Sequence, residues 1–132
     1  DPYKVYPSML KLWDRLMRGF SWQNPRGIDF EETTLSIYER TMRAHIEDQG
    51  KIPAQDFHEV RYEDLDADPA GVLGRIYDAL DLPGKSGAMN PIEQYIKAQR
   101  GYKKNSCRLA AATRERIASR WKFAFNHWNY AY

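Results

Sequence analysis

Ser8 is the first residue whose type and position could do chemistry. It follows Pro7, a favoured first helical residue, and the sequence predicts a helix over about residues 7–20. Backbone N–H groups in the first turn of a helix have no intrahelical partner, and the helix dipole is positive there. A phosphate at that point would gain hydrogen bonds from the backbone and from the Ser8 hydroxyl. The alternative is that Ser8 only caps the helix, and this segment alone leaves both roles open.

Tyr62 is the second candidate for ligand binding. Residues 57–62 alternate apolar and polar side chains and include β-formers, which predicts a short strand that ends at Tyr62. Open α/β sheets hold ligands at the carboxyl ends of their strands, where the Tyr62 ring could lie against a base. The alternative is a tyrosine of the core. Glu63 and Asp64 indicate a turn and a helix cap, and no catalytic role is predicted for them.

Residues 83–87, Pro-Gly-Lys-Ser-Gly, carry the letters of a phosphate-binding loop. Such a loop needs a further glycine five positions before Gly84, and Ala79 occupies that position. The segment also follows a predicted helix end rather than a strand. Helix termination by Pro83 and Gly84 explains the segment better, so Lys85 is not predicted to bind a phosphate.

The remaining candidates do not form a catalytic or metal site. The three histidines lack metal-ligand spacing and fall on or beside predicted regular elements: His45, His58 and His127. Cys107 has Arg108 beside it but no fixed general base in sequence, so nucleophilic chemistry is not predicted for it. The sequence therefore predicts no metal and no complete catalytic centre.

Helices are predicted for most of the chain. Apolar residues recur at three-and-four spacing, Asp29 and Glu32 form a capping-box pattern, and Asp68 with Pro69 marks another helix start. The predicted helices cover about residues 7–20, 30–49, 69–82, 90–101 and 110–128. No repeat, low-complexity stretch or linker divides the chain. Residues 1–132 are therefore predicted to be one domain, mostly α, with about five helices and one strand.

The predicted strand over residues 57–62 has no predicted partner in the chain. A lone strand leaves both edges unpaired, and a stable sheet needs neighbouring strands. Either a missing segment supplies those neighbours, or a second copy of the chain pairs across a two-fold axis. A homodimer through this strand is therefore one expectation.

Composition indicates a folded protein that favours anions mildly. Hydrophobic residues make up 42% of the chain, which holds four tryptophans and nine tyrosines, so a core is predicted rather than disorder. The net charge of +2 suits anionic ligands but is too small to predict a nucleic-acid partner. No apolar run approaches the ~18 residues of a membrane span, and the single cysteine fits a reducing compartment. A soluble, cytoplasmic protein is expected.

The order of these motifs resembles the sulfotransferase family. The chain opens with Asp-Pro-Tyr-Lys-Val-Tyr-Pro-Ser, and Val-Arg-Tyr-Glu-Asp-Leu, a Lys-Lys-Asn loop and a last helix ending in Asn-Tyr follow in that order. These enzymes move a sulfuryl group from 3′-phosphoadenosine 5′-phosphosulfate to a hydroxyl or amine. The resemblance implies this nucleotide as cofactor. It also implies a fold derived from a three-layer α/β, P-loop-like architecture whose amino-terminal strands are absent from this chain.

The resemblance also assigns residues. Ser8 matches the family's serine that holds the 3′-phosphate, and Tyr62 resembles its adenine-contacting tyrosine. Lys103 and Lys104 resemble a basic loop that folds over the 3′-phosphate. The family's partner arginine, eight positions before the serine, would fall immediately before Asp1.

The resemblance places the catalytic parts upstream. The family's 5′-phosphosulfate loop, a Pro-Lys-x-Gly-Thr turn with its transferring lysine, and its His or Glu general base have no counterpart in these residues. The chain is therefore predicted to be the carboxy-terminal part of a sulfotransferase, holding the 3′-phosphate and adenine half of the cofactor site, with an unspecified acceptor. The alternative is a truncated, non-catalytic helical module for interaction or assembly.

Overall fold

The computed structural model describes residues 1–22, 24–99 and 108–132, and their regular structure is helical. The elements are α1 (Pro2–Phe20), α2 (Phe30–Gln49), a 3-10 turn (Ala54–Asp56), α3 (Tyr62–Ala67), α4 (Pro69–Ala79), α5 (Lys85–Ala98), α6 (Ala111–Arg120) and α7 (Lys122–His127). Contacts group them into two compact units. The aromatic unit holds α1, α2, α6 and α7, and the α3–α5 unit holds the 3-10 turn with α3, α4 and α5. The expectation of a mostly helical chain is confirmed.

Helix α1 begins earlier than the sequence predicts. Its cap is Asp1, whose Oδ1 accepts a hydrogen bond from the Tyr3 backbone N–H at 2.9 Å, and Pro2 takes the favoured first helical position. Pro7 lies inside the helix, where its missing N–H removes one bond of the ladder without ending it. The predicted start at Pro7 is wrong, and Ser8 is not in the first turn.

Trp121 lies at the centre of the aromatic unit. Its side chain is fully buried, its indole N–H donates to the Leu35 carbonyl oxygen at 3.0 Å, and its ring lies 3.8 Å from the Tyr38 ring, centroid to centroid. Tyr6 meets the same indole edge-on at 5.9 Å, and Phe125 is also fully buried. Trp121 and Phe125 thus pack the end of the chain onto the core of the unit.

The last helix is broken rather than continuous. The sequence predicts one helix over 110–128, but α6 ends at Arg120 and α7 begins at Lys122. Trp121 between them has φ −104° and ψ 19°, outside the helical well. The break lies at the largest fully buried side chain, where packing outweighs regular helical geometry.

Ion pairs join α2 to α6 at the surface. Arg120 Nε lies 2.6 Å from Glu39 Oε2, and its Nη2 lies 3.1 Å from Glu32 Oε1. Arg116 makes contacts of 3.1 and 3.0 Å with Glu31 and Glu32. The hydrogen bond from Arg120 holds the pKa of Glu39 below its usual range. These pairs link the surfaces of the two helices, and salt weakens them.

The predicted strand over 57–62 is wrong for the described residues. Phe57 and Arg61 have extended backbone, with φ/ψ of −136°/126° and −76°/135°, but no strand is formed within the described ranges. An extended segment becomes a strand only when a partner completes its hydrogen bonds. Tyr62 starts α3, and Glu63 and Asp64 in the first turn suit a helix amino terminus. The expected homodimer through this segment stays a prediction.

Helices α4 and α5 follow the cap signals in part. Asp68 caps α4 as predicted, with its Oδ1 accepting from the Gly71 backbone N–H at 3.0 Å. Helix α5 starts at Lys85, whereas the sequence predicts a helix start at Asn90, so Pro91 lies inside α5. Gly84 has φ of +81°, a left-handed conformation that turns the chain between α4 and α5.

Replacing Asp68 by alanine is expected to lower the free energy of unfolding by about 1 kcal/mol, because it removes the oxygen that accepts from Gly71 N–H. Urea unfolding followed by circular dichroism measures the change. Asp68→Asn keeps an acceptor oxygen and should retain most of the stability. Equal losses in the two variants would contradict the assignment of the cap.

Candidate functional site

Ser8 lies in the second turn of α1, with its side chain exposed. At that position its backbone N–H belongs to the helical hydrogen-bond ladder, so it is not one of the unpaired amides of a helix end. Those amides lie at the start of α1, where Asp1 accepts from Tyr3 N–H. What Ser8 offers a ligand is its hydroxyl.

Two lysines flank Ser8 on the surface of α1. Lys4 precedes it by four residues and Lys11 follows it by three, and side chains at these spacings are neighbours on one helix face. Both lysines are exposed. We call Lys4, Ser8 and Lys11 the basic stripe of α1. Its charge and its central hydroxyl suit an anion with several oxygen acceptors, such as a phosphate.

Sequence reasoning missed this stripe because the predicted helix started at Pro7. With that start Lys4 lies outside the helix, so its spacing of four residues from Ser8 does not place the two side chains on one helix face. The signal that would have found the stripe is Asp1 followed by Pro2, a cap and first-turn proline of the same kind as Asp68 with Pro69.

The amino-terminal half of α1 is held firmly by its aromatic side chains. The centroid of the Tyr3 ring lies 4.8 Å from that of the Phe125 ring. The Arg114 guanidinium carbon lies over the same Tyr3 ring, 3.7 Å from its centroid. Tyr6 is buried against Trp121, and burial raises the pKa of its phenol. These contacts fix the helix that carries Ser8 within the aromatic unit.

Tyr62 is the first residue of α3 and belongs to the α3–α5 unit. Its side chain is 59% exposed, so the interpretation as a core tyrosine is wrong. The exposed ring is accessible to an aromatic ligand. Tyr62 lies at a helix amino terminus rather than at the predicted carboxyl end of a strand. It stays a candidate for ligand binding because its ring is exposed.

The other residues considered from the sequence either lie outside the described residues or already bind a neighbouring side chain. Lys103 and Lys104 lie outside the described residues, as does Cys107. Lys85 Nζ donates to both carboxylate oxygens of Asp78 at 2.6 Å, which agrees with the expectation that it does not bind a phosphate.

Within the described ranges, no group of three or more His, Cys, Asp or Glu side chains is arranged to hold a metal ion. The helices of those ranges are also too short or too polar for any of them to cross a membrane.

Comparison with known proteins decides the family. The sequence model of the sulfotransferase family matches residues 1–86, a segment that includes both Ser8 and Tyr62. The chain belongs to the sulfotransferase family. The resemblance drawn from the motifs is confirmed.

Curated sulfotransferases extend the likeness over nearly the whole chain. The omega-hydroxy-beta-dihydromenaquinone-9 sulfotransferase Stf3 of Mycobacterium bovis is 32% identical over 130 residues, which are 98% of this chain and 34% of that protein. The sulfotransferase of the same name from Mycobacterium tuberculosis matches to the same extent. The chain thus spans about a third of the length of these curated relatives. No solved structure matches it.

Proposed function

We propose that this chain is the part of a sulfotransferase that holds the 3′-phosphate and adenine half of 3′-phosphoadenosine 5′-phosphosulfate. The observation that carries the proposal is the basic stripe of α1, which presents the family's serine between two lysines on an exposed helix face. The family membership supports the nucleotide as donor. When bound, the nucleotide supplies the sulfuryl group, which passes to the oxygen or nitrogen of an acceptor.

The basic stripe would bind the 3′-phosphate through charge and hydrogen bonds together. The Ser8 hydroxyl donates one hydrogen bond to a phosphate oxygen, and the ammonium groups of Lys4 and Lys11 offset the phosphate charge from either side. A hydrogen bond to a charged group is worth about 1.5–3 kcal/mol. The lysine contribution is smaller at an exposed surface and weakens with salt.

Tyr62 would supply the contact to adenine. Its exposed ring offers a π-face on which a base can stack, and stacking of this kind contributes about 1–3 kcal/mol per base. Lys103 and Lys104 are proposed to add charge over the 3′-phosphate, as the family resemblance implies. The chain contributes binding, while the 5′-phosphosulfate loop and the general base are proposed to belong to the remainder of a longer enzyme.

The acceptor proposed for this family member is a hydroxyl compound. The curated relatives are named for an omega-hydroxy dihydromenaquinone, so a hydroxyl is favoured over an amine. The acceptor oxygen would bond to sulfur as the bond from sulfur to the phosphate oxygen breaks, and the hydroxyl proton would leave to a base. No residue of this chain is assigned to that base.

The test is calorimetric titration with two nucleotides that differ only in the 3′-phosphate. The chain is expected to bind 3′-phosphoadenosine 5′-phosphate more tightly than adenosine 5′-monophosphate. Ser8→Ala should weaken the first ligand roughly ten- to a hundredfold and leave the second unchanged. Tyr62→Ala should weaken both, because each ligand carries the adenine.

Ser119→Ala is the matched control, since it removes another exposed serine hydroxyl from a helix of the same unit. It should bind both nucleotides like the unaltered chain. A chain that binds neither nucleotide, or a Ser8→Ala variant with unaltered affinity, contradicts the proposal. Absence of binding together with self-association in light scattering would favour the interaction or assembly module instead.

A further inference from the structure

Large apolar side chains are exposed at the carboxyl-terminal end of α1. Leu12 is 52% exposed, Phe20 is 80% exposed and Trp22, two residues past the helix, is fully exposed. Leu12, Leu16 and Phe20 follow one another at intervals of four, so they form one row along the helix surface. We call Leu12, Phe20 and Trp22 the α1 end surface.

The row of Leu12, Leu16 and Phe20 lies between the side of α1 that packs on the core and a side that carries basic residues. Met9, Trp13 and Met17 are half-buried, and Met9 packs against the core of the aromatic unit. Arg15 lies on the other side, three residues after Leu12 and therefore beside it on the helix surface. The α1 end surface is thus apolar and is bordered by the core-facing side of the helix on one side and by basic residues on the other.

Positive charge accompanies the end surface. Over residues 9–29 the basic side chains are Lys11, Arg15, Arg18 and Arg26, whereas the acidic side chains are Asp14 and Asp29. All four basic side chains are exposed, and Arg18 pairs with Asp14 at 2.6 Å. Leu12 and Phe20 on the helix, and Trp22 just past its end, thus lie beside basic side chains, and this pairing of apolar with basic residues is typical of segments that lie in the headgroup region of a bilayer. Tryptophan in particular favours that region.

We propose that the α1 end surface inserts into the headgroup region of an anionic lipid bilayer. Phe20 and Trp22 would enter the boundary of the acyl chains, and Arg15 would extend its charged end to lipid phosphates while its alkyl stem covers the row. Anionic lipids add attraction for each basic residue near the membrane surface. The inference is independent of nucleotide binding.

A lipid surface fits these observations better than a second copy of the chain. Aromatic side chains bury ~150–250 Å² each, so Phe20 and Trp22, even with the smaller Leu12, provide less than the ~800 Å² that each partner of a stable protein interface contributes. Two copies would also bring the same excess of positive charge together, which opposes association. An anionic bilayer needs only shallow insertion and matches the charge.

Co-sedimentation with vesicles tests the proposal. The chain is expected to bind vesicles of phosphatidylcholine with phosphatidylglycerol more strongly than vesicles of phosphatidylcholine alone. The double variant Phe20→Ser with Trp22→Ser should lower partitioning roughly tenfold or more. The double variant Arg15→Gln with Arg26→Gln should lose the preference for phosphatidylglycerol.

Tyr95→Ser is the matched control, because Tyr95 is an aromatic side chain of the α3–α5 unit that is 67% exposed. It should bind vesicles like the unaltered chain, and circular dichroism should show that all variants are folded. Absence of binding to any vesicle, or equal binding by the Phe20/Trp22 double variant, overturns the proposal. A dimer that this double variant abolishes would assign the surface to a second copy. Nucleotide titration of the same variants reports separately on the proposed function.

Discussion

Replacing Trp121 by alanine is expected to lower the free energy of unfolding of the chain by about 3–5 kcal/mol. Trp121 is fully buried and lies against Tyr6 and Tyr38, and its indole N–H donates to the Leu35 carbonyl oxygen. The truncation leaves a cavity between α1, α2 and α7 that these helices cannot close without moving. Because whole domains are stable by only about 5–15 kcal/mol, the aromatic unit should be largely unfolded well below the urea midpoint of the unaltered chain.

Urea unfolding monitored by near-ultraviolet circular dichroism measures this loss, because that signal reports the packed aromatic rings. Trp22→Ala is the matched control, since it makes the same chemical change at a fully exposed position. Its effect should stay within about 0.5 kcal/mol. A Trp121→Ala variant within about 1 kcal/mol of the unaltered chain would contradict the central place given to Trp121.

The parts of the fold that the sequence predicts correctly are those with local causes. Asp29 and Asp68 were assigned as helix caps, and their carboxylates accept from the backbone N–H of Glu32 and Gly71. A cap needs only one side chain and the next turn of backbone, so a few residues suffice to specify it. The bounds of α2 follow from the same kind of signal, and α2 runs over Phe30–Gln49 against a prediction of 30–49.

The errors come from signals that have two meanings. Proline marks either the first turn of a helix or a tolerated interior position, and Pro7 and Pro91 both prove to be interior. Alternating residues at 57–62 fit a strand, but a strand forms only with a partner that lies elsewhere in a fold. The break at Trp121 depends on packing against distant helices, which local spacing does not contain.

The residues of the candidate site stay a prediction, whereas the local structure predicted around Ser8 and Tyr62 is corrected. Ser8 and Tyr62 are both exposed and both lie inside the segment that matches the family. The predicted helix start near Ser8 and the predicted strand end at Tyr62 are both wrong. The exposed lysines beside Ser8 offer a different reason for the prediction, and their spacing from Ser8 follows once α1 is known to start at Pro2. Tyr62 retains only its exposed ring and its family match.

Tyr38 makes the aromatic unit sensitive to alkaline pH. Its phenol is 7% exposed, and burial, with the nearby Tyr130, raises its pKa to about 12 from 10.0. In the unfolded chain the phenol loses its proton near pH 10, whereas in the folded unit it keeps the proton until about pH 12. The stabilisation is therefore complete below pH 10 and is lost as the pH rises from 10 to 12. The loss amounts to roughly 2–3 kcal/mol. Burial raises the pKa of Tyr6 as well, which acts in the same direction.

Urea unfolding at a series of pH values from 8 to about 12 is expected to show this fall. Unfolding releases a proton at pH values between the pKa of Tyr38 in the unfolded chain and its pKa in the folded unit. Tyr38→Phe keeps the ring that stacks on Trp121 and removes the ionising group, so its stability should decline less steeply over the same range. Tyr95→Phe removes an exposed phenol from the other unit and should follow the unaltered chain. If Tyr38→Phe and the unaltered chain lose stability in parallel above pH 10, Tyr38 is not the group responsible. Tyr6, whose pKa is also raised by burial and whose ring meets the Trp121 indole at 5.9 Å, would then be the next phenol to replace.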